Sequence, residues 1–341
     1  MTIEETTASM QSAAMMQLLM GFQSSQALYV VANLGIATVL HQEGPVTVAE
    51  LAERTECDAR ALSRLVRALA PLGVFRTEGD RVGITPLGAT LSRTHPHSLH
   101  GAARMLMETH YLPFSELTHS VRVGEPCATK YFGESLFAWL SRDGERERLF
   151  SQAMSDLTSS LRSAMFDGYT LPPGGTIADI GGSDGSVLVE LLTRDGDVTR
   201  RGVVFDRPTA IANAEARILA AGLGDRVATI AGDFFAAVPT ADVYVLAFIL
   251  HDWSDADSVR ILGSIAAAAT TGARVLLLEG LIPPGDGPHL VKTVDLTMLG
   301  MMTGRERSVE EYRHLLAASG FTLDRVVETS SPFAIVEATL N

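Results

Sequence analysis

Apolar residues near the start of the chain recur at helical spacing. Between residues 10 and 40 they include Leu18, Phe22, Val31 and Leu40, and few charges occur before Glu43. Polar residues interrupt the stretch, so it falls short of the roughly 20 apolar residues that a membrane span requires. The pattern predicts buried or interfacial helix, and a wide apolar N-terminal surface is a common dimer seam.

Two short helices and a hairpin follow this stretch. A helix is predicted over residues 46–53, and a second one begins after Asp58 and ends at Gly73. Predicted strands at 74–76 and 81–84 then flank a turn, which completes a winged-helix outline. Six arginines face six acids between residues 46 and 86. A DNA-binding domain normally has more basic than acidic residues. The balanced charge therefore favours a winged helix that serves packing or dimerisation.

The second half of the chain alternates between strand and helix patterns. A proline- and glycine-rich stretch at 171–175 ends a mostly helical region. Five strands are predicted after it, at 176–181, 202–205, 227–231, 243–250 and 274–278. Alternating strands and helices are typical of an α/β fold with a doubly wound parallel sheet. The last two predicted strands, 321–327 and 334–338, have a six-residue link that favours an antiparallel hairpin.

The composition of the chain limits its expected partners and its expected location in the cell. The chain has 341 residues, a formal net charge of −13 and two cysteines. An acidic surface repels nucleic-acid phosphates and anionic lipid, so neither nucleic acid nor membrane is an expected partner. The scarce cysteines and the absence of a basic N-terminal export pattern favour the cytoplasm.

A glycine turn follows the first strand of this region. The segment from Asp179 through Gly181, Gly182 and Ser183 to Gly185 leads from strand into helix. A dinucleotide site requires glycine where this chain has serine, so NAD is disfavoured. Glycine permits close approach and Asp179 can face an ammonium, which suits a ligand with an amino-acid end.

Acidic residues also stand at the next two strand ends. Asp206, followed by Arg207, is placed where an acid hydrogen-bonds ribose hydroxyls. Asp233 and Phe234 follow the third strand, where an adenine can be stacked and its amino group bound. Since carboxyl ends of parallel strands share one edge, these residues predict one ligand pocket.

The candidate base lies at the end of the fourth strand. His251 is followed by Asp252 and sits at the same predicted edge. Imidazole titrates near neutral pH and is the usual general base. Glu279, at the end of the fifth strand, and Glu306 are the acids available to orient it.

These ordered motifs resemble the S-adenosylmethionine-dependent O-methyltransferases that include plant caffeate enzymes and bacterial aromatic-polyketide enzymes. The resemblance rests on the glycine turn and on four further segments: Phe205–Pro208, Gly232–Phe235, Ile249–Asp255 and Gly304–Ser308. It spans nearly the whole chain and implies a homodimer joined through the N-terminal domain. It divides the chain into a winged-helix dimerisation domain at 1–100, a helical linker contributing to the acceptor pocket at 101–170, and a catalytic domain at 171–341.

The resemblance also implies the chemistry. His251 would be the general base, flanked by Glu279 and Glu306, and would deprotonate a phenolic hydroxyl of an aromatic polyketide-type intermediate without a metal. The methyl donor would be S-adenosylmethionine and the product S-adenosylhomocysteine. The implied cofactor contacts are Asp179, Gly181, Gly182, Ser183, Asp206, Arg207, Asp233 and Phe234. The implied acceptor contacts are Met154, Asp252, Met298 and Met302.

The sequence departs from the family pattern at two positions, and two other functions are alternatives to O-methylation. The family often has lysine where this chain has Ala247, and glycine where it has Ser183. Some relatives of the polyketide enzymes hydroxylate rather than methylate, and a winged-helix regulator that senses a ligand is a second alternative. The helix N-terminus beside His251 is expected to help keep the imidazole neutral.

Overall fold

The computed structural model describes residues 3–162, 164–209 and 211–341, which divide into two compact units. The first unit comprises Met1–Leu112 and Phe137–Ser160. The second comprises Pro113–Leu136 and Leu161–Asn341. The chain therefore crosses between the units more than once.

The first unit is helical and carries a small sheet. Its elements up to residue 105 are α1 (Ile3–Leu19), α2 (Gly21–Asn33), α3 (Ile36–Glu43), β1 (Val46–Thr47), α4 (Val48–Arg54), α5 (Ala59–Leu69), β2 (Phe75–Glu78), β3 (Arg81–Ile84), α6 (Pro86–Ala89) and α7 (His100–Met105). The helix predicted over 46–53 is wrong at its start. Thr47 is extended and caps α4 in a capping box with Glu50, so Val46 and Thr47 pair with β3 instead.

The predicted winged-helix elements are otherwise present. Asp58 caps α5 through the N–H of Ala61, and the small sheet has the order β1-β3-β2. Large apolar side chains of α1 are uncovered in the single chain; Met15 is 56% exposed and Leu18 is 75% exposed. The first unit thus presents an apolar surface at its N-terminus.

A π-helical turn and four helices lie between α7 and the first strand of the large sheet. The turn is Leu106–His110, and the helices are α8 (Leu117–Val123), α9 (Cys127–Phe132), α10 (Leu136–Ser141) and α11 (Gly144–Arg162). The helices α8 and α9 belong to the second unit, whereas most of α10 and α11 belongs to the first.

The second unit is built on a seven-stranded sheet. Its elements are β4 (Thr176–Ile180), α12 (Ser186–Arg194), β5 (Arg201–Asp206), α13 (Ala214–Ala220), β6 (Val227–Ala231), β7 (Val243–Ala247), α14 (Asp255–Ala268), β8 (Arg274–Glu279), α15 (Leu290–Met301), α16 (Val309–Ala318), β9 (Phe321–Glu328) and β10 (Ala334–Leu340). The order is β6-β5-β4-β7-β8-β10-β9; the first five strands in this order pair in parallel, and β10 pairs antiparallel with both β8 and β9. The predicted doubly wound α/β sheet with a C-terminal antiparallel hairpin is confirmed.

The central strand β7 is shorter than the sequence predicts. The strand predicted over 243–250 ends at Ala247, because Phe248 adopts φ +56° and turns the chain. Leu250–Asp252 then form a 3₁₀ turn. This turn carries His251 off the sheet edge.

Candidate active site

Two glycines allow the turn after β4 to pack closely against neighbouring side chains. Gly181 has φ +74°, and a Cβ there would lie 2.5 Å from Cδ1 of Ile249. A Cβ on Gly182 would lie 2.7 Å from Cγ of Asp179. A side chain at either position would force these groups apart, so the turn needs the missing Cβ atoms.

Ser183 occupies a conformation that favours glycine. Its φ is +47°, in the left-handed region that costs most residues on the order of 1 kcal/mol or more. Its N–H donates to Oδ2 of Asp206 at 2.9 Å, and the N–H of Arg207 donates to Oδ1 at 2.6 Å. Asp206 therefore ties the end of β5 to the glycine turn while its carboxylate keeps further acceptor capacity.

Asp179 lies beneath the turn, and its carboxylate is not fully satisfied. The residue is 1% exposed, and Oδ2 has no hydrogen-bond partner. Burial raises the pKa of Asp179 to about 7, although the Arg162 guanidinium opposes this shift. Arg162 is itself buried and donates to Oγ of Ser186 at 3.3 Å. The sequence analysis did not single out Arg162, because it lies far from the motifs along the chain.

The residues predicted for the adenine end lie next to the loop that carries the base. Asp233 is exposed and accepts from the N–H of Phe235 at 2.8 Å. The Phe234 ring meets the Trp253 ring edge to face, with centroids 5.8 Å apart. Trp253 follows His251 by two residues, so the predicted cofactor edge and the base loop are in contact.

His251 is held from one side by a carboxylate. Nδ1 donates to Oε1 of Glu306 at 2.8 Å, and Oε2 of Glu279 lies 3.9 Å from the same nitrogen. Nε2 lies 3.5 Å from Oδ1 of Asp252. Glu306 is thus the hydrogen-bond partner, a choice that the sequence analysis left open between the two glutamates.

The carboxylates around His251 act against the neutral imidazole that the sequence analysis expected. Burial by itself lowers the pKa of His251, but the carboxylates of Asp252, Glu279 and Glu306 outweigh it and raise the pKa to about 10. Burial raises the pKa of Glu279 to about 7, against the opposing charge of His251. The raised pKa of His251 therefore has an electrostatic cause, the three nearby carboxylates.

Arg307 fixes the backbone of the base loop and is a residue that sequence reasoning missed. It is fully buried and donates to the carbonyls of Leu250 at 2.7 Å and of Trp253 at 2.8 Å. Its Nε also donates to Asp255 at 3.0 Å. The sequence signal for Arg307 is its position directly after Glu306 in the Gly304–Ser308 motif. This short segment contacts both the His251 side chain, through Glu306, and the backbone on either side of His251, through Arg307.

The predicted acceptor contacts fall in both units. Met298 and Met302 are half-buried at the C-terminal end of α15, where the N–H of Met302 donates to the carbonyl of Met298 at 2.8 Å. Asp252 is half-buried beside His251. Met154 lies on α11 in the first unit. Ala247 is partly buried at the end of β7.

Comparison with known proteins places the chain in a family. An O-methyltransferase domain matches residues 114–322, and an O-methyltransferase dimerisation domain matches residues 16–94. A phenazine O-methyltransferase of Lysobacter antibioticus is 38% identical over 96% of this chain and 96% of its own length. A mitomycin biosynthesis 6-O-methyltransferase of Streptomyces lavendulae is 34% identical over 99% of each chain.

A solved structure adds a ligand-bound relative. The neocarzinostatin biosynthesis O-methyltransferase in complex with S-adenosylmethionine and 2-hydroxy-5-methyl naphthoic acid aligns with a TM-score of 0.78 and 31% identity. The alignment covers 93% of this chain and 96% of that one.

The chain belongs to the O-methyltransferase family. It is an S-adenosylmethionine-dependent methyltransferase, as the resemblance in the sequence implied. The described residues contain no helix that is both long and apolar enough to cross a membrane.

Proposed function

We propose that this enzyme methylates a hydroxyl of a flat, aromatic secondary-metabolite intermediate, with His251 as the general base. One observation carries the proposal: the His251 imidazole is bonded to Glu306 at 2.8 Å, on a loop that packs against the glycine turn through Ile249. Relatives named for phenazine and mitomycin substrates, and one solved with a naphthoic acid, support an aromatic acceptor.

The cofactor contacts are proposed from the open turn and the acids along the sheet edge. The unpartnered, buried Oδ2 of Asp179, next to the close turn at Gly181 and Gly182, fits a ligand whose amino-acid end carries positive charge. The carboxylate of Asp206 fits ribose hydroxyls, and the aromatic face of Phe234 fits adenine. The proposed contacts are Asp179, Gly181, Gly182, Ser183, Asp206, Arg207, Asp233 and Phe234.

Proton transfer falls to His251 and its carboxylates. When bound, S-adenosylmethionine supplies an electrophilic methyl group and a sulfonium charge, and a nearby positive charge lowers the pKa of an imidazole. Nδ1 stays bonded to Glu306, so Nε2 is the nitrogen that takes the hydroxyl proton. Glu279, with a pKa of about 7, can hold a proton near neutral pH and thereby supports loss of the imidazolium proton.

The acceptor site is proposed to use the side chains of Met154, Asp252, Met298 and Met302. The carboxylate of Asp252, 3.5 Å from Nε2, stands where it can accept from an acceptor hydroxyl and align it with the base. Thioether side chains fit a flat ring because they are polarisable and adapt their shape. The proposed division is a dimerisation domain at 1–100, a helical linker at 101–170 that contributes to the acceptor pocket, and a catalytic domain at 171–341.

The oligomeric state is proposed from the apolar surface of the first unit, and the cellular location is proposed from the state of the two cysteines. The exposed apolar side chains of α1, together with the dimerisation-domain match at 16–94, support a homodimer formed through this region. The two cysteines, Cys57 and Cys127, are both free thiols, which favours the reducing cytoplasm. No nucleic acid is expected as a partner, because the arginines of the winged helix are balanced by acids.

The test is mass spectrometry of the purified enzyme with S-adenosylmethionine and a panel of phenazines, naphthoates and phenolic polyketides. A mass gain of one methylene on an acceptor, with matching S-adenosylhomocysteine, supports the proposal. A gain of oxygen on the acceptor would favour hydroxylation and overturn it. An acceptor methylated at full turnover by His251→Ala would overturn the role of the base.

A further inference from the structure

The three side chains at the base also form a set of metal-ligand donors. One atom each from His251, Glu279 and Glu306 lies within 4.8 Å of the others, and this is the only such set among the residues that the structure describes. Zinc ligands at about 2.0–2.1 Å in a tetrahedron are separated by roughly 3.3 Å. The distances from Nδ1 to the two glutamates, 2.8 and 3.9 Å, bracket that separation.

Each glutamate has an oxygen that is not used by the protein. Oε2 of Glu279 and Oε2 of Glu306 are buried and have no hydrogen-bond partner. The two side chains are 0% and 2% exposed. An unpaired buried carboxylate oxygen is costly, and a cation between the two would relieve that cost.

Hydrogen bonds hold the Glu279 carboxylate and the Glu306 main chain in place. Oε1 of Glu279 accepts from the N–H groups of Ile249 at 3.2 Å and Leu250 at 2.9 Å. The backbone N–H of Glu306 donates to Oδ1 of Asp295 at 3.0 Å. The Glu279 carboxylate is therefore oriented before any cation arrives, as a ligand of a tight metal site must be, whereas the Glu306 carboxylate is positioned by its bond to Nδ1 of His251.

We propose that His251, Glu279 and Glu306 form a binding site for a divalent transition-metal ion of the zinc type, and that the bound ion inhibits the enzyme. One imidazole and two carboxylates suit zinc, and a set of three protein ligands leaves its fourth position open. Calcium and magnesium prefer six or more oxygen ligands, so this nitrogen-containing set disfavours them.

The inhibitory effect follows from which nitrogen the ion takes. The ion would bind Nδ1 and displace the proton that Nδ1 donates to Glu306, and that proton would pass to the buffer. The remaining ring proton then stays on Nε2, so Nε2 has no lone pair with which to accept the proton of an acceptor hydroxyl. This effect on turnover rests on the proposed function, whereas binding of the ion does not.

Direct binding is tested first, on full-length protein treated with a chelator and desalted. Zinc is titrated by calorimetry, and Co²⁺ is titrated by visible absorption, whose intensity reports four-coordinate geometry. We expect one ion per chain, and binding weakened more than tenfold in each of Glu279→Gln, Glu306→Gln and His251→Ala. Glu328→Gln, an exposed glutamate at the end of β9, is the matched control and should bind as the unmodified chain does.

Several outcomes would overturn the site. One is the absence of binding at millimolar zinc, and another is one-to-one binding that survives all three substitutions. Circular dichroism of each variant separates loss of ligands from loss of fold, and His251→Ala keeps the test valid if a glutamine variant fails to fold.

Turnover is measured second, with zinc added and then removed by chelator. Reversible inhibition supports the proposal, and full turnover of a zinc-saturated enzyme overturns the inhibitory role. If no acceptor is methylated at all, the proposed function fails, but the Co²⁺ spectrum still decides the metal site.

Discussion

Two buried histidines in this molecule have opposite electrostatic surroundings. His110 lies in the π-helical turn of the first unit; Nδ1 bonds to Oγ1 of Thr109 at 2.7 Å, and the ring stacks on Phe150 with centroids 6.3 Å apart. Burial lowers the pKa of His110 to about 4, against a smaller opposing effect of the Met105 carbonyl. The carboxylates around His251 instead overcome burial and raise its pKa to about 10.

The difference shows that burial alone does not decide the charge of a histidine. Desolvation disfavours the imidazolium at both positions, but only His251 has carboxylates close enough to reverse the effect. The pKa values of the two buried histidines are therefore shifted in opposite directions, down for His110 in the first unit and up for His251 in the second. Only His251 has the carboxylate partners that the proposed base requires.

The largest effect is expected from removing His251, the histidine beside the carboxylates. His251→Ala should lower kcat by roughly 10²–10⁴-fold, the usual contribution of a general base, with the Kd for S-adenosylmethionine nearly unchanged. Steady-state kinetics and calorimetric cofactor binding measure the two quantities. His314→Gln, at an exposed position on α16, is the control and should retain kcat. An equal loss of kcat in both variants would contradict a specific role for His251.

The neutral histidine should make the protein sensitive to acid. Its folded pKa of about 4 lies below the usual value of 6.5, so the unfolded chain binds more protons between these values. The free energy of unfolding should therefore fall as pH drops from 6.5 to 4, by up to about 3 kcal/mol from this group. Urea unfolding at pH 7 and pH 4.5 measures the loss. His110→Phe should remove most of it, and an identical pH dependence in both proteins would contradict the assignment.

Removing one carboxylate should bring His251 closer to the behaviour of His110. Glu306→Gln is expected to lower the pKa of His251 by about 1–3 units, since it deletes an opposite charge within hydrogen-bond distance. Histidine NMR titration of chelator-treated protein measures the shift. Because a lower pKa frees the base at lower pH, the acid limb of the kcat profile should move the same way. Glu328→Gln should leave both unchanged, and a rise in the pKa in Glu306→Gln would refute the electrostatic explanation.

The smallest effect concerns the glycine turn, away from either histidine. Ser183→Gly should relieve the strain of φ +47°, and since glycine loses more entropy on folding, the net gain in stability is expected to stay below about 1 kcal/mol. Thermal unfolding should show a slightly higher Tm. Ser186→Gly, at the first position of α12, should lower the Tm and serves as the reference. A lower Tm in Ser183→Gly would contradict the strain.

The sequence by itself determined the elements and the edge at which the site lies. Apolar runs ended by acids predicted β4, β5 and β6, and their polar ends Asp179, Asp206 and Asp233 do stand at or just beyond the carboxyl ends of these strands. The short link after β9 predicted the hairpin. These features depend on residue period, turn length and caps, which are local properties of the chain.

Only the tertiary structure decided how distant residues pair. It placed β10 between β8 and β9, chose Glu306 over Glu279 as the partner of His251, and buried Arg307 against the base loop. It also brought together the carboxylates that raise the pKa of His251, because a pKa depends on burial and on every nearby charge. The residues whose charges act on His251 lie up to 55 positions away in the sequence, and no local sequence pattern shows that they are close in space.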